Sequence, residues 1–485
     1  MKKIIIRKIQ TLSFAALPAL LLSSGCTLAP EYIRPKDPVP AEWPQGDAYK
    51  KLKADAIEKV AGIPWKEFFT DAKLRKVIKS ALKNNRDLRI AALNVERAQA
   101  MYGIQRSSLL PSVNGTAGMV QEHRSADLIS ADSSRSMEQY SLNLGVTAWE
   151  LDFFGRVRSL SDQALEEYLA TDEARRSAEL ALISQVARAY LTLAADQENL
   201  KLAKATLESQ QDSYDLINKS FENGLANELD LRRARTEVEA AERDIPRFTR
   251  MVAQDRNALN LLVGKPVPKK LLPDELHSVA ALKDIDPGLP SAVLLNRPDI
   301  IAAEHKLKGA YAFIGAARAS VFPRISLTAS AGTASDELSG LFGSGTGIWS
   351  FVPQLQVPLF DPRVWKAIQV SKVDQKLVLT QYEKTVQTAF KEVADALAVQ
   401  GTISEQLAAQ EALVASAEAT YELSDKRYAM GLDSYLSVLD AHRSLYAQQQ
   451  AVISLRLARL SSQVTLYTVL GGGQEEQGKQ GGKKL

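Results

Sequence analysis

The chain is written twice, so whatever it folds into is assembled from two copies of one unit. Asp87 to Ala117 realigns on Asp299 to Ala329 without a gap at a spacing of 212 residues, with ten identities in 31 positions, among them Gly103/Gly315, Arg106/Arg318 and Pro111/Pro323. Farther on the spacing becomes 207, where Val186/Val393, Leu200/Leu407, Tyr214/Tyr421, Gly224/Gly431, Leu229/Leu436 and Gly264/Gly471 coincide. Solenoid repeats recur every 20 to 50 residues or so, roughly a quarter of this period at most. Each half-chain is therefore a single structural unit, and the whole is a pseudo-twofold object.

Long runs free of helix breakers come next. Arg156 to Asn223 holds neither Gly nor Pro across 68 residues, and Arg363 to Met430 has the same length with only Gly401 interrupting. At about 1.5 Å per residue each reaches roughly 100 Å, too long for burial in an ordinary globular domain, so the helices must lie side by side in a bundle, coiled coil or tube. Stripes such as Leu200, Ala203, Leu207, Tyr214, Ile217 and Phe221 are packing seams. Each run ends in a matching turn, Phe221-Glu222-Asn223-Gly224-Leu225 and Tyr428-Ala429-Met430-Gly431-Leu432, whose glycine supplies the left-handed residue that stops a helix. Return helices are expected over 228–263, kinked at Pro246, and over 435–470.

Ahead of each long helix a proline (Pro111, Pro323) opens two short alternating segments. Leu142, Leu144, Val146 and Ala148 alternate with polar or small residues, as do Leu327, Ala329 and Ala331, and Leu355, Val357 and Leu359; Val113 to Val120 is a weaker case. A period of two fits strands of about 9–11 residues tilted across a bilayer, and also a half-buried sheet in a soluble domain. Membrane barrels start at about eight strands, so four would close a barrel only by pooling with other copies, and three copies would supply twelve. Gln121 to Gln139 and Gly332 to Gly347 are polar and small enough to be solvent-facing hairpin tips. The Gly343 to Gly347 run lacks the Lys-Ser or Lys-Thr of a phosphate loop.

Composition narrows function. The 485 residues are 45% hydrophobic with a formal charge of +3, enough to bury a large core and no electrostatic case for nucleic acid. The single cysteine, Cys26, excludes an intramolecular disulfide and a Cys-based zinc site. It follows a basic start (Lys2, Lys3, Arg7, Lys8) and an apolar stretch (Ile9 to Leu22), the layout of a secretory signal. Ser23-Ser24-Gly25-Cys26 resembles the end of a bacterial lipoprotein signal, although Ser23 stands where such signals usually have a branched aliphatic. That resemblance implies a covalent lipid on Cys26 and, from Thr27, sorting to the outer membrane. No run long enough for a spanning helix follows Leu22, so a mature chain that crosses a membrane does so as a closed barrel. The histidines (His123, His277, His305, His442) are scattered and no catalytic or metal-binding constellation competes, so neither enzyme activity nor a cofactor is expected.

Trp149-Glu150-Leu151-Asp152-Phe153-Phe154-Gly155-Arg156, the proline-marked hairpins, the glycine tips and Leu470-Gly471-Gly472-Gly473 resemble the TolC/OprM-type outer-membrane efflux factors, in their lipoprotein branch, over about Cys26 to Gly473. The resemblance implies a mainly α fold with a transmembrane β-barrel. In it, a homotrimer pools four strands per protomer into one twelve-stranded barrel, and its helices form a continuous α-helical tube across the periplasm. It also implies a passive duct, lipid-anchored in the outer membrane and fed by an inner-membrane RND-type pump through a periplasmic adaptor (membrane fusion) protein. On that frame residues 1–25 are a signal peptide, 26–63 a lipid-anchored strap and 64–270 the first repeat, with a hairpin over about 111–152 and helices over 156–223 and 228–263. Residues 271–290 are an equatorial linker, 291–473 the second repeat, with a hairpin over about 323–361 and helices over 363–430 and 435–470, and 474–485 a disordered tail.

By the same resemblance Leu436 and Asp440 line a periplasmic aperture, and their spacing of four puts both on one helix face. Several copies of Asp440 near an axis bring like charges together, which cations or water must relieve. Asp230 and Tyr428 match positions whose hydrogen bond ties neighbouring tip helices; Arg427 and Arg232 could add ion pairs, and Asp433 stands where an arginine can sit in TolC-type tips. Adaptor docking is expected on the turns, at Gly224, Leu225, Gly431 and Leu432. The function implied is an exit duct for drugs or small molecules. The same fold could serve protein secretion or metal-ion export, and a lipid-anchored coiled-coil protein could bridge envelope layers without a pore.

Overall fold

The computed structural model describes residues 27–49, 63–125, 127, 134–279 and 291–472. The expected signal, the lipidation residue Cys26, residues 50–62 of the strap, 280–290 of the linker and the tail lie outside the described residues.

Three helices, α1 (Trp65–Phe68), α2 (Ala72–Asn84) and α3 (Arg86–Ser107), open the first repeat. The breaks have local causes. Asp71 caps α2 by accepting the Leu74 N–H at 2.6 Å, and extended Asn85 accepts the Leu88 N–H at 2.8 Å to start α3. A hairpin follows, β1 (Val113–His123) and β2 (Ser136–Leu151), then α4 (Arg156–Glu222) and α5 (Glu228–Val263). The second half repeats the order with α6 (Pro298–Ala319), β3 (Arg324–Ser335), β4 (Gly347–Gln356), α7 (Pro362–Ala429) and α8 (Tyr435–Val469). α7 passes through Gly401 and α5 through Pro246 without ending, since one proline removes only one donor from a long ladder.

The repeat extends to contacts. Asn85 Nδ2 donates to the Leu262 carbonyl at 2.9 Å, and Arg297, its counterpart, donates through Nη1 to the Val469 carbonyl at 2.8 Å. Each bond ties the last turn of a return helix, α5 or α8, to the start of α3 or α6. The side chain has changed between copies while the tie has been kept.

The described residues fall in two compact units, one within 27–36, 94–172 and 302–382, the other within 37–93, 173–301 and 383–472. In the first, the strands form one antiparallel sheet in the order β1-β2-β3-β4, so β1 and β4 are its edges. Val113, Gly115 and Ala117 stand opposite Val146, Leu144 and Leu142, while Leu327, Ala329 and Ala331 stand opposite Pro353, Phe351 and Trp349. Opposed residues share a face, so one face of the sheet is apolar and the other carries Thr116, Asn143, Ser330, Ser350 and Gln354.

A bulge between Val146 and Trp149 corrects the expected alternation. Ala148 takes a left-handed φ of 49°, its N–H goes to the Thr328 hydroxyl at 3.0 Å, and Trp149 rather than Ala148 continues the apolar face, opposite Leu327. Val357 and Leu359 lie past the end of β4. Residues 121–123, 136–139 and 332–335, expected in hairpin tips, belong to strands. The N-terminal strap lies along α6, with Arg318 Nη1 donating to the Leu28 carbonyl at 3.0 Å and Arg34 paired with Glu304 at 2.5 Å.

The second unit holds the main core. Val186, Tyr190 and Leu193 of α4, Val393 and Leu397 of α7 and Val464 and Tyr467 of α8 are buried, with Phe68 stacked on Tyr467 at 4.2 Å between ring centres. Gly264 closes α5 at φ 75°, where a Cβ would stand 2.3 Å from the Asn84 carbonyl oxygen. Among the described residues no helix is long and apolar enough to cross a membrane.

Candidate functional site

In the second unit each long helix turns into its return helix through a glycine. Gly224 and Gly431 are left-handed, at φ 70° and 71°. The N–H groups of Leu225 and Leu432 reach back to the Ser220 and Arg427 carbonyls at 2.8 and 2.9 Å, and those of Gly224 and Gly431 to Phe221 and Tyr428 at 2.9 and 2.8 Å. That is the double bond pattern of a Schellman end, made twice. Nothing lies within 4 Å of a Cβ built on either glycine, and Leu225 and Leu432 are 84% and 62% exposed. The turns present uncovered apolar side chains on a fixed backbone.

Behind them Ile217, Ala234, Tyr435, Val438 and Leu439 form a buried cluster, with Tyr214, Leu231, Tyr421 and Tyr428 packed on it. Because Tyr435, Val438 and Leu439 take the inner side of α8, Leu436 and Asp440 are turned outward, Leu436 39% exposed and the Asp440 side chain 65%. The two expected aperture residues therefore share one exposed face. Arg443 lies 4.0 Å from Asp440, but its Nε hydrogen bond goes to buried Glu237 of α5 at 2.8 Å. The copies diverge here: at the 207-residue spacing the α5 counterpart of Asp440 is Arg233, 3.6 Å from Asp230.

The latch residues are arranged differently from the expectation. Among the described residues no hydrogen bond joins Asp230 to Tyr428. Asp230 accepts from Asn227 Nδ2 at 2.8 Å, while Tyr428 leans on Tyr435 at 5.3 Å, its hydroxyl pushed up by burial first and then by the Asp230 charge. Arg427 clasps Asp433 through Nε and Nη2 at 2.5 and 3.1 Å, which holds that carboxyl below the usual range. Arg232 pairs with Glu228 one turn back at 3.1 Å. Asp433 thus engages Arg427 within the same turn.

Two acids of α5 escape a reading of motifs. Glu237 and Asp244 are buried on the stripe formed by Ala234, Val238, Ala241 and Phe248. Besides the Glu237 tie to Arg443, Asp244 accepts from the Tyr446 hydroxyl at 3.0 Å, so polar bonds as well as packing join α5 to α8. The sequence carries the signal, since an acid on an apolar stripe requires a partner from the facing helix. His442 meets Gln210 of α4 at 2.6 Å, and burial lowers its pKa. These groups border a cavity of about 230 Å³. On α4 and α5, Asp196 and Asp255 lie together; burial first, then the bond and charge from Asp196, push Asp255 up to about 7. Among the described residues no cluster of three or more metal-ligating side chains occurs.

Comparison with known proteins bears on this arrangement. The sequence profile described as outer membrane efflux protein matches residues 77–265 and 289–472. The toluene efflux pump outer membrane protein TtgC of Pseudomonas putida is 46% identical over 464 residues, 95% of each chain. The solvent efflux pump outer membrane protein SrpC of Pseudomonas putida is 47% identical over 470 residues, covering 95% of this chain and 99% of the relative. Among solved structures, the open state of the MtrE outer membrane channel of Neisseria gonorrhoeae superposes with a TM-score of 0.82 at 35% identity, covering 92% of this chain and 98% of that one. With both halves matched by the profile and nearly the whole length shared with these relatives, the chain belongs to the outer membrane efflux protein family.

Proposed function

We propose that three copies of this chain form a passive exit duct in the outer membrane for drugs, solvents or other small molecules, as the last component of a three-part efflux pump. One observation carries the reading. The sheet has an apolar face, a polar face and two unpaired edges, β1 and β4. In hydrocarbon each unsatisfied backbone group costs several kcal/mol, roughly the worth of a hydrogen bond, so such a sheet spans a membrane only when its edges are closed by other copies. Three sheets of four strands make a barrel with lipid-facing Leu, Val, Phe and Trp and a polar lumen, a composition that suits transport and supplies no catalytic group.

The rest of the duct follows from that closure. Leu436 and Asp440, exposed on one face of α8, line the periplasmic aperture, where converging like charges repel one another, favour cations in the opening and are relieved by small helix rotations. Gly224, Leu225, Gly431 and Leu432 receive the periplasmic adaptor, which links the duct to an inner-membrane RND-type pump. A lipid on Cys26 adds a second membrane attachment. The role needs no cofactor.

The test uses the full-length protein purified in detergent. Its mass should be that of a trimer, and planar bilayers containing it should show discrete conductance steps. Monomers stable without detergent that pass no current would leave a non-porous envelope protein as the better reading.

A further inference from the structure

The polar face of the sheet is uncharged along its middle, where Thr116, Asn143, Thr328 and Ser330 stand. Charge is concentrated at the base. Glu150 pairs across the sheet with Ser326, and Arg324 with Gln356, which puts both on this polar face. Glu150 accepts two bonds from Arg156, at 2.8 and 2.7 Å, and also faces Arg324 Nε at 2.8 Å. Two guanidiniums thus share one carboxylate. The nearby acids do not offset the excess, because Asp152 is held by Arg158 at 3.2 Å and Asp361 by Arg363 at 2.8 Å.

Arg324 is the less committed of the two. Its side chain is 51% exposed, and its terminal amino groups make no hydrogen bond among the described residues. A cavity of about 240 Å³ opens beside it, bordered by Arg156, Ser320 and Gln356 and walled by Phe154 and Phe322. Those two rings are stacked at 4.9 Å with an interplanar angle of 18°. A planar fork of N–H donors matches two oxygens of a carboxylate or sulfonate, and an aromatic wall suits a flat apolar body attached to it.

We propose that Arg324, with the Arg156–Glu150 pair and the Phe154–Phe322 wall, forms a subsite at the base of the sheet for the carboxylate or sulfonate of an aromatic solute, and that its excess positive charge attracts anions at that level of the lumen. This rests on the duct reading. The subsite lies on the polar face, so it meets a solute in the lumen rather than a lipid headgroup. Repeated in each copy, one excess charge becomes a ring that focuses anions between low-dielectric walls.

The full-length protein in planar bilayers under a KCl gradient tests it. Millimolar benzenesulfonate should cut the wild-type current about twofold or more. Arg324→Gln should move the reversal potential toward the cation side and abolish the block. Arg324→Lys should leave the reversal potential in place yet lose most of the block, since a point charge replaces the fork. Phe322→Ala should weaken the block and leave the reversal potential in place, which provides a second handle if Arg324→Gln fails to assemble. A conducting Arg324→Gln with unchanged reversal potential and block overturns the subsite. Absence of any conductance in the wild type would instead overturn the duct.

Discussion

A carboxyl group taken out of water keeps its proton, and Asp255 keeps one up to about pH 7 because of burial and then Asp196. An unfolded aspartate titrates near about 3.9, so the folded protein binds the extra proton between these values. The stability that this proton confers is complete below the unfolded value and is lost as pH rises through the folded one. The thermal midpoint of the detergent-solubilised protein should therefore fall as pH rises from about 4 to about 7, and Asp255→Asn, which cannot ionise, should flatten that slope. A slope unchanged by the substitution would show that the pair does not share its proton. Asp440 is a different kind of acid, exposed and only loosely held by Arg443 at 4.0 Å. Asp440→Ala should widen the resting aperture, raising single-channel conductance and the uptake of large antibiotics, with little effect on folding. Equal conductance in wild type and variant would remove Asp440 from the aperture.

Glycine at a helix end can be needed for its backbone or for the room it leaves, and the elements here separate the two. Gly431 has open space around it, so Gly431→Ala should cost only the left-handed conformation, about 1 kcal/mol. Gly264→Ala carries the same cost plus a clash with the Asn84 carbonyl oxygen at 2.3 Å, adding about 1–3 kcal/mol of overpacking. Thermal unfolding should rank Gly264→Ala well below Gly431→Ala; the reverse order would contradict the fold. A bulky residue at Gly431 should project outward and weaken cross-linking to the adaptor while trimers persist. The same elements show what a single sequence reveals. Long Gly-free and Pro-free runs declare α4 and α7, and matching glycines declare where they turn, because helix breaking is a local property. The bulge at Ala148 is not local: whether Ala148 or Trp149 faces with Leu144 depends on the register against β3. The clasp of Arg427 on Asp433 and the tie of Glu237 to Arg443 likewise depend on which helices become neighbours. A resemblance to other tips could point to Arg427 but not to the partner it takes here.

At the scale of the whole molecule the exposed apolar surface asks to be covered. α3 buries none of its residues, leaving Ile90, Leu93, Met101 and Ile104 more than half exposed, and Trp365, Val373 and Leu377 of α7 are similarly bare. Monomeric soluble proteins rarely leave such faces open, and in the proposed trimer further copies of the chain would cover them as well as the edges of the sheet. Single cysteines introduced by Thr116→Cys on β1 and Val352→Cys on β4 should together yield cross-linked dimers and trimers under oxidation, while either alone should not; ladders from neither would argue against edge-to-edge closure. The two bare strand edges also dictate an order of events in biogenesis. If the sheet spans the bilayer as proposed, a solitary chain cannot slip in carrying rows of unsatisfied amides, and encounter between copies has to precede insertion or accompany it. Insertion yield should then climb steeply with the number of chains available, and a scarcely expressed gene should leave its product stranded in the aqueous compartment, within reach of proteases.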